Sequence, residues 1–256
     1  MLMKISVVTV CYNAVQTLEK TMLSVLNQTY PYVEYIIIDG GSTDGTVDII
    51  KKYADRLAYW VSEPDKGIYD AMNKGIKAAT GEWINFMNSG DTFYEANTLA
   101  QVCTFMEGQV ADIVYGDAKY IYEWGDIIRK PFFLSELRKH MIFCHQSAFV
   151  KMNIMKKYKF SLKYKISGDY NFFYQQYMLS RRFSYLSICI SNFDAVDGVS
   201  SRNCLVCLKE DARINGRKDT ISWKFFYYKT WILVSIKSSL KSILPRKVVL
   251  ILKKTI

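Results

Sequence analysis

Tyr35-Ile36-Ile37-Ile38-Asp39-Gly40-Gly41-Ser42-Thr43-Asp44-Gly45-Thr46-Val47-Asp48-Ile49-Ile50 is an apolar run that stops on a carboxylate, passes through a glycine-rich turn and resumes with helical spacing. Such a run reads as a buried strand followed at once by a helix, half of a βαβ unit. The same alternation extends to both sides. Ile5 to Val10 predicts a strand, and the spacing of Leu18, Met22, Val25 and Leu26 predicts a helix over Thr17 to Leu26. Thr46 to Tyr53 continues the quoted turn as a helix, Tyr59 to Ser62 predicts a third strand, and Tyr69 to Ala79 a third helix. Trp83 to Met87 predicts a fourth strand that runs into Asn88-Ser89-Gly90-Asp91. The expected class is α/β, a mostly parallel central sheet with flanking helices. Beyond about residue 110 the alternation weakens, with strand candidates at Ile113 to Tyr115, Lys119 to Tyr122, Ala148 to Lys151 and Ser187 to Phe193 around a helix near Tyr170 to Leu179.

The 256 residues are half hydrophobic and 23% charged, with 13 Gly and 4 Pro, a balance that builds a core and excludes disordered or collagen-like chains. No uncharged apolar run reaches the roughly 18 to 20 residues of a membrane span, and Met1 to Val10 lacks a basic segment and cleavage site, so no translocation is expected. The six Cys are scattered, and Cys204 and Cys207 have no second Cys/His pair to complete a zinc site, so reduced thiols are expected.

The formal charge of +10 is unevenly placed. Eight of the 34 basic residues follow Asp219, the last acid, which leaves 26 basic against 24 acidic residues in the nearly neutral body. The tail adds Trp223, Phe225, Phe226, Tyr227, Tyr228 and Trp231, and Ile232, Ile236, Leu240 and Ile243 recur at helical spacing before Pro245. A basic, aromatic, acid-free amphipathic helix suits an anionic membrane surface, or else packs on the body. With no recognition-helix or RNA-binding signature, no nucleic-acid partner is expected.

Polar residues gather where the strands end, which is where open α/β sheets bind ligands. Thr9, Tyr12 and Asn13 leave the first strand with a hydroxyl, a ring and an amide that could hold a flat heterocycle. Asp39 can accept from a base N–H or a ribose hydroxyl, and Ser42, Thr43 or Asp44 can instead cap the following helix. The turn is neither a Walker A loop nor a dinucleotide fingerprint, since both required glycine patterns are missing. Glu63 to Gly75 is a loop entering a helix, with Lys66, Gly67 and the helix start able to face a diphosphate and Asp70 and Asn73 sharing one face. Asp91, at a strand end beside that diphosphate, suits a hard divalent cation.

Taken together, Val7 to Asn13, Leu23 to Tyr30, Asp39 to Thr46, Gly67 to Gly75 and Asn88 to Asp91 resemble glycosyltransferase family 2 and its GT-A (Rossmann-like) fold, most strongly over residues 4 to 95. The resemblance is closest to bacterial enzymes of capsule, O-antigen or colanic-acid type. It implies metal-dependent, inverting transfer of a sugar from a nucleotide-sugar, UDP favoured, to a saccharide or polyprenyl-linked acceptor. By the family pattern Thr9, Tyr12, Asn13 and Asp39 contact the nucleotide, Asp91 binds Mn2+ or Mg2+, and Asp169, in Ser167-Gly168-Asp169-Tyr170, is the general base. His145, in His145-Gln146-Ser147, contacts donor phosphate or acceptor, or is a structural histidine. The chain departs from the fuller pattern at Asn88 and Gly90, where acids are common, and at Met72, where an Arg is common and Lys66 stands in as the diphosphate cation. The organisation expected is a nucleotide-sugar-binding half at 1–110, an acceptor-binding and catalytic half at 111–219 and a tail at 220–256, peripheral on the cytoplasmic face of the membrane. The rival readings are a silent scaffold of the same fold and a sugar-phosphate nucleotidyltransferase, whose glycine-rich triphosphate loop is missing here.

Overall fold

The computed structural model describes residues 3–196, 198 and 203–243, the side chains of the latter stretch as far as residue 236. Four βα-type strands open the chain: β1 (Ile5–Cys11), β2 (Val33–Asp39), β3 (Tyr59–Ser62) and β4 (Trp83–Phe86). All four run parallel, in the order β3-β2-β1-β4. Every residue of β1 is buried, as parallel strands require when helices cover both faces. Val7 and Ile37 face α1 (Leu18–Leu26) and α2 (Thr46–Lys52), whereas Val8, Ile36 and Ile38 face α3 (Ile68–Ala78). The register pairs Cys11 with Asp39 and Asp39 with Ser62, so the polar ends of β1, β2 and β3 line up on one edge.

The second half continues the same sheet with mixed direction. β5 (Thr92–Phe93), α4 (Thr98–Glu107), β6 (Ile113–Tyr122), β7 (Gly125–Arg129), β8 (Ala148–Lys151), α5 (Met152–Tyr158), α6 (Gly168–Met178) and β9 (Phe183–Asp194) follow in order. β8 inserts antiparallel between β4 and β6, β9 pairs parallel with β6, and β5 and β7 pair antiparallel with β9 and β6. The two strands expected at 113–115 and 119–122 are one: the register shift on either side of Asp117 is a bulge, not a break. β9 begins four residues before its expected start, and β5, β7 and α5 are too short to show a clear period, whereas α4 does carry helical spacing in Leu99, Val102, Cys103 and Met106, all buried, and is a helix the sequence reading passes over.

Two helices close the described chain, α7 (Cys204–Ile214) and α8 (Ile221–Ile243). Trp223, Tyr227, Thr230 and Val234 are partly covered, with Lys209 of α7 over the Tyr227 ring at 5.0 Å. Ile221, Phe225, Tyr228, Ile232 and Ile236 form the opposite stripe and are 50–87% exposed. The expected residues Pro245, Arg246, Lys247, Lys253 and Lys254 lie outside the described residues.

Glu34 ties the first units together. It is 7% exposed and accepts from Ser6 Oγ (2.6 Å), Thr80 N (2.7 Å), Thr80 Oγ1 (2.5 Å) and Lys4 Nζ (2.8 Å), which joins β1, β2 and the α3–β4 turn. Burial opposes its ionisation, yet these donors hold it down at about 2. A lowered carboxylate stabilises the fold above its unfolded value of about 4.5 and loses that contribution as pH falls through about 2. The difference corresponds to about 3 kcal/mol, reduced to about 2 kcal/mol by solvent screening of the half-exposed Lys4. Glu34→Gln is therefore expected to lose about 2 kcal/mol at pH 7 in urea unfolding, with the deficit shrinking toward pH 2; an equal deficit at both pH values would contradict this linkage.

Candidate active site

The loops after β1 and β2 are laced together. Asn13, in a left-handed conformation (φ +47°), donates its N–H to Ser42 Oγ (2.7 Å) and accepts from Thr43 N on Oδ1 (3.0 Å). Ala14 N and Val15 N reach Thr46 Oγ1 and Asp44 Oδ2 at 2.8 and 3.1 Å. Asp44 also accepts from Thr46 N (3.0 Å), an Asx turn leading into α2, whose cap position is taken by Gly45 and not by Ser42, Thr43 or Asp44. Asp39 is fully buried and accepts from Gly41 N (3.1 Å), Ser42 N (2.9 Å) and Ser62 Oγ (2.6 Å) as well as from the Ser42 hydroxyl. Burial disfavours its charge, but those bonds hold the carboxyl below the usual range. Thr9 is equally buried: its hydroxyl donates to Met87 O (2.7 Å) and accepts from Tyr35 Oη (2.9 Å). These two residues thus shape the rim from within.

What faces outward is different. Tyr12 is 65% exposed, and a Cβ placed on Gly40 would lie 3.3 Å from its ring and 2.5 Å from Asp65 Oδ2. The absence of a Cβ at Gly40 lets an aromatic ring and a carboxylate approach bare backbone at this rim. Asp65 was not singled out in sequence, although it stands one residue before Lys66. Asp65 Oδ1 accepts from Gly67 N (2.7 Å) and Asp70 Oδ2 from Lys66 N (3.0 Å), which fixes the entry to α3 and leaves the Lys66 side chain exposed. Asn73 is not brought to this rim: its amide clasps the backbone of Phe160 in both directions, at 2.9 Å each. Met72 is fully buried in the core.

Asn88 and Asp91 close a tight turn after β4, with Asp91 N donating to Asn88 O (3.0 Å) and Gly90 at φ +102°. Asp91 is 5% exposed and accepts from Gln146 Nε2 (2.5 Å) and Asp194 N (3.0 Å). Burial pushes its carboxyl up to about 7 despite these donors. Among the described residues no group of three or more His, Cys, Asp or Glu side chains could hold a metal ion. The Asn88 Oδ1, however, is buried with no hydrogen-bond partner. One carboxylate and one orphaned amide oxygen fit a hard cation that takes its remaining oxygens from a diphosphate and water, not a resident protein cage.

From that turn a chain of hydrogen bonds crosses the sheet edge. Asn88 Nδ2 donates to His145 Nε2 (3.1 Å), which leaves the ring proton on Nδ1, and Nδ1–H donates to Asp169 Oδ2 (3.0 Å). Asp169 Oδ1 accepts from Tyr170 N (2.8 Å), and the single Tyr69 hydroxyl proton is shared between the nearer Ile166 O and Asp169 Oδ1 (3.1 Å). Burial works against the Asp169 charge, but His145, Tyr170 N–H and Tyr69 together hold it below the ordinary carboxylate value. Its side chain remains 17% exposed at the first turn of α6, a carboxylate held in its charged form at the edge of solvent. Tyr69 and Gln146 lay within the quoted motifs but were not assigned roles; only the fold brings Tyr69 to a carboxylate 100 residues away.

The family model described as Glycosyl transferase family 2 matches residues 6–185. A PGL/p-HBAD biosynthesis glycosyltransferase of Mycobacterium bovis is 31% identical over 208 residues, 77% of this chain and 78% of that protein. Among solved structures, S. aureus TarS 1-349 in complex with UDP-GlcNAc superposes with a TM-score of 0.68 at 20% identity over 85% of this chain and 70% of that one. A longer TarS chain is spanned to 39% of its length. The mannosyltransferase PcManGT from Pyrobaculum calidifontis, in complex with GDP-Man and Mn2+, gives a TM-score of 0.66 at 16% identity over 100% of this chain and 80% of that one. The chain belongs to glycosyl transferase family 2, has the GT-A fold and is a glycosyltransferase.

Because the donor from His145 is what offsets the burial of Asp169, His145→Ala is expected to raise the carboxyl's protonation pH. The acid limb of the pH–activity profile then moves upward, while activity recovers in part on the alkaline side. An unmoved acid limb would mean that Asp169 does not govern it.

Proposed function

We propose that this chain moves one sugar from a nucleoside-diphosphate sugar, UDP-linked by preference, to a hydroxyl of a saccharide or polyprenyl-linked acceptor, with inversion at the anomeric carbon, in cell-surface polysaccharide assembly. The observation that carries this reading is the ionised, partly open Asp169, oriented from both sides by His145 and Tyr69. Asp169 takes the proton of the acceptor hydroxyl as that oxygen attacks the anomeric carbon. The bond from that carbon to the diphosphate oxygen breaks on the opposite face, and its electron pair leaves with the nucleoside diphosphate.

On the donor side, Tyr12, Gly40 and Asp65 form the slot for the base, and the Asp39–Ser42–Asn13 lacing keeps that slot in shape. Lys66 and the start of α3 bring positive potential to the diphosphate. Asp91 and Asn88 would hold a divalent cation, Mn2+ or Mg2+, which when bound supplies charge to stabilise the leaving group. The UDP-GlcNAc complex of TarS and the Mn2+ complex of PcManGT support donor class and metal by analogy of fold.

The exposed face of α8 supports a membrane-borne acceptor. Its stripe of Ile221, Phe225, Tyr228, Ile232 and Ile236 faces away from α7, and Lys224 and Lys229 lie on the same helix with no acid after Asp219. No described helix is long and apolar enough to cross a membrane, so the helix would lie in the interface of an anionic cytoplasmic leaflet.

Thermal unfolding against UDP, GDP and CMP, each with and without Mn2+, tests the donor site. UDP at a hundredfold excess over its dissociation constant is expected to add about 2.7 kcal/mol, and Asp91→Ala to remove the metal-dependent part. Asp169→Asn is expected to keep the UDP shift and lose about 10²- to 10⁴-fold in transfer. No shift with any nucleotide, or full activity in Asp169→Asn, would refute the reading. For the tail, phosphatidylglycerol vesicles should sediment the wild type but not a Phe225→Asp, Ile232→Asp variant; equal sedimentation of both would refute the membrane placement.

A further inference from the structure

The segment that delivers Asp169 has no helix or strand of its own. It runs from Lys159, after α5, to Ser167, before α6. Three successive backbone N–H groups of this segment converge on one side chain: Lys165 N on Glu210 Oε1 (2.9 Å), and Ile166 N and Ser167 N on Oε2 (3.0 and 2.9 Å). Glu210 belongs to α7 and is 6% exposed. Among the described residues no Lys or Arg lies within ion-pair distance of it. A buried carboxylate compensated only by backbone donors is an anion in a nest of N–H groups, here filled by the protein's own acid.

Its placement gives that arrangement a purpose. With the N–H groups turned toward Glu210, the Ile166 carbonyl is presented to Tyr69 Oη, the phenol that also touches Asp169 Oδ1. Ser167, the residue before α6, is 4% exposed and two positions from Asp169. Glu210 therefore holds the backbone path that leads to Asp169 and presents the Ile166 carbonyl to Tyr69, while its neighbour Asp211 is bonded to the Ser167 side chain. Glu210 also lies beyond residue 185, where the family match ends.

We infer that Glu210 is a positioning residue for Asp169, acting through the 165–167 backbone and Tyr69; the inference rests on the reading of Asp169 as the general base. A displacement of about 1 Å at a reacting group can lower the rate by about 10²-fold. Donor binding, which uses other loops, is left alone.

The test compares wild type, Glu210→Gln and Glu210→Asp. Glu210→Gln keeps the shape but replaces one acceptor oxygen with a donor. It should lower kcat at least about tenfold, with the donor KM and the UDP-induced midpoint shift unchanged, and Glu210→Asp should restore part of kcat. Wild-type kcat in Glu210→Gln overturns the inference, and so does a parallel loss of kcat and UDP binding. If Glu210→Gln does not fold, amide exchange of the wild type decides. The 165–167 amides must then exchange as slowly as the first turns of α6, and exchange at the rate of an unprotected loop overturns the proposal. A wild type that binds UDP but turns over no donor would instead fail the reading of Asp169, while slow exchange at 165–167 would still report the clamp.

Discussion

The hydrogen bond from His145 Nδ1 to Asp169 Oδ2, at 3.0 Å, is the contact on which the site's organisation depends. A carboxylate this sheltered from water would pick up a proton unless donors replaced the lost hydration. His145 supplies one, but only because Asn88 fixes its tautomer from the other side of the ring. Tyr69 and the Tyr170 N–H supply the rest. The bonded path starts at the turn after β4, passes through the segment before β8, and ends on α6 and α3. Base strength and the mutual placement of the two halves of the sheet are thus one problem with one solution.

The donor side is built on a different plan. Asp39 and Thr9 have little left to offer a ligand, because their oxygens are taken up by neighbouring strands and loops. They act as internal ties, and the exposed chemistry passes to Tyr12, Asp65 and Lys66. Asp91 is a third case: one buried carboxylate, reluctant to ionise, beside an amide oxygen with no partner. This turn holds one acid. A cation placed there would take the rest of its coordination from the donor's phosphates and water, which would couple its binding to that of the donor.

The first ninety or so residues were legible because parallel βα units alternate in a way that local pattern records, and because Asp44 or Gly90 carries its turn chemistry in its type. The roles proposed for Asp169 and His145 come only from the resemblance: nothing in their sequence neighbours separates a base from a helix cap. What escaped reading is long-range. Glu210 finds its backbone partners more than 40 residues away, Tyr69 finds Asp169 across the molecule, and Asn73 clasps Phe160 instead of facing the rim. The bulge in β6 escaped for a different reason, since a Gly-Asp pair in a strand and one between strands look alike until β9 pairs beside it.

With Asp169 as the base proposed for the acceptor hydroxyl, transfer is a single displacement. Proton NMR of the first-formed product during turnover reads the anomeric configuration directly. An α-linked donor is expected to yield a β-linked product from the earliest time points. An α-linked product would contradict it, because one base on the acceptor side cannot deliver retention.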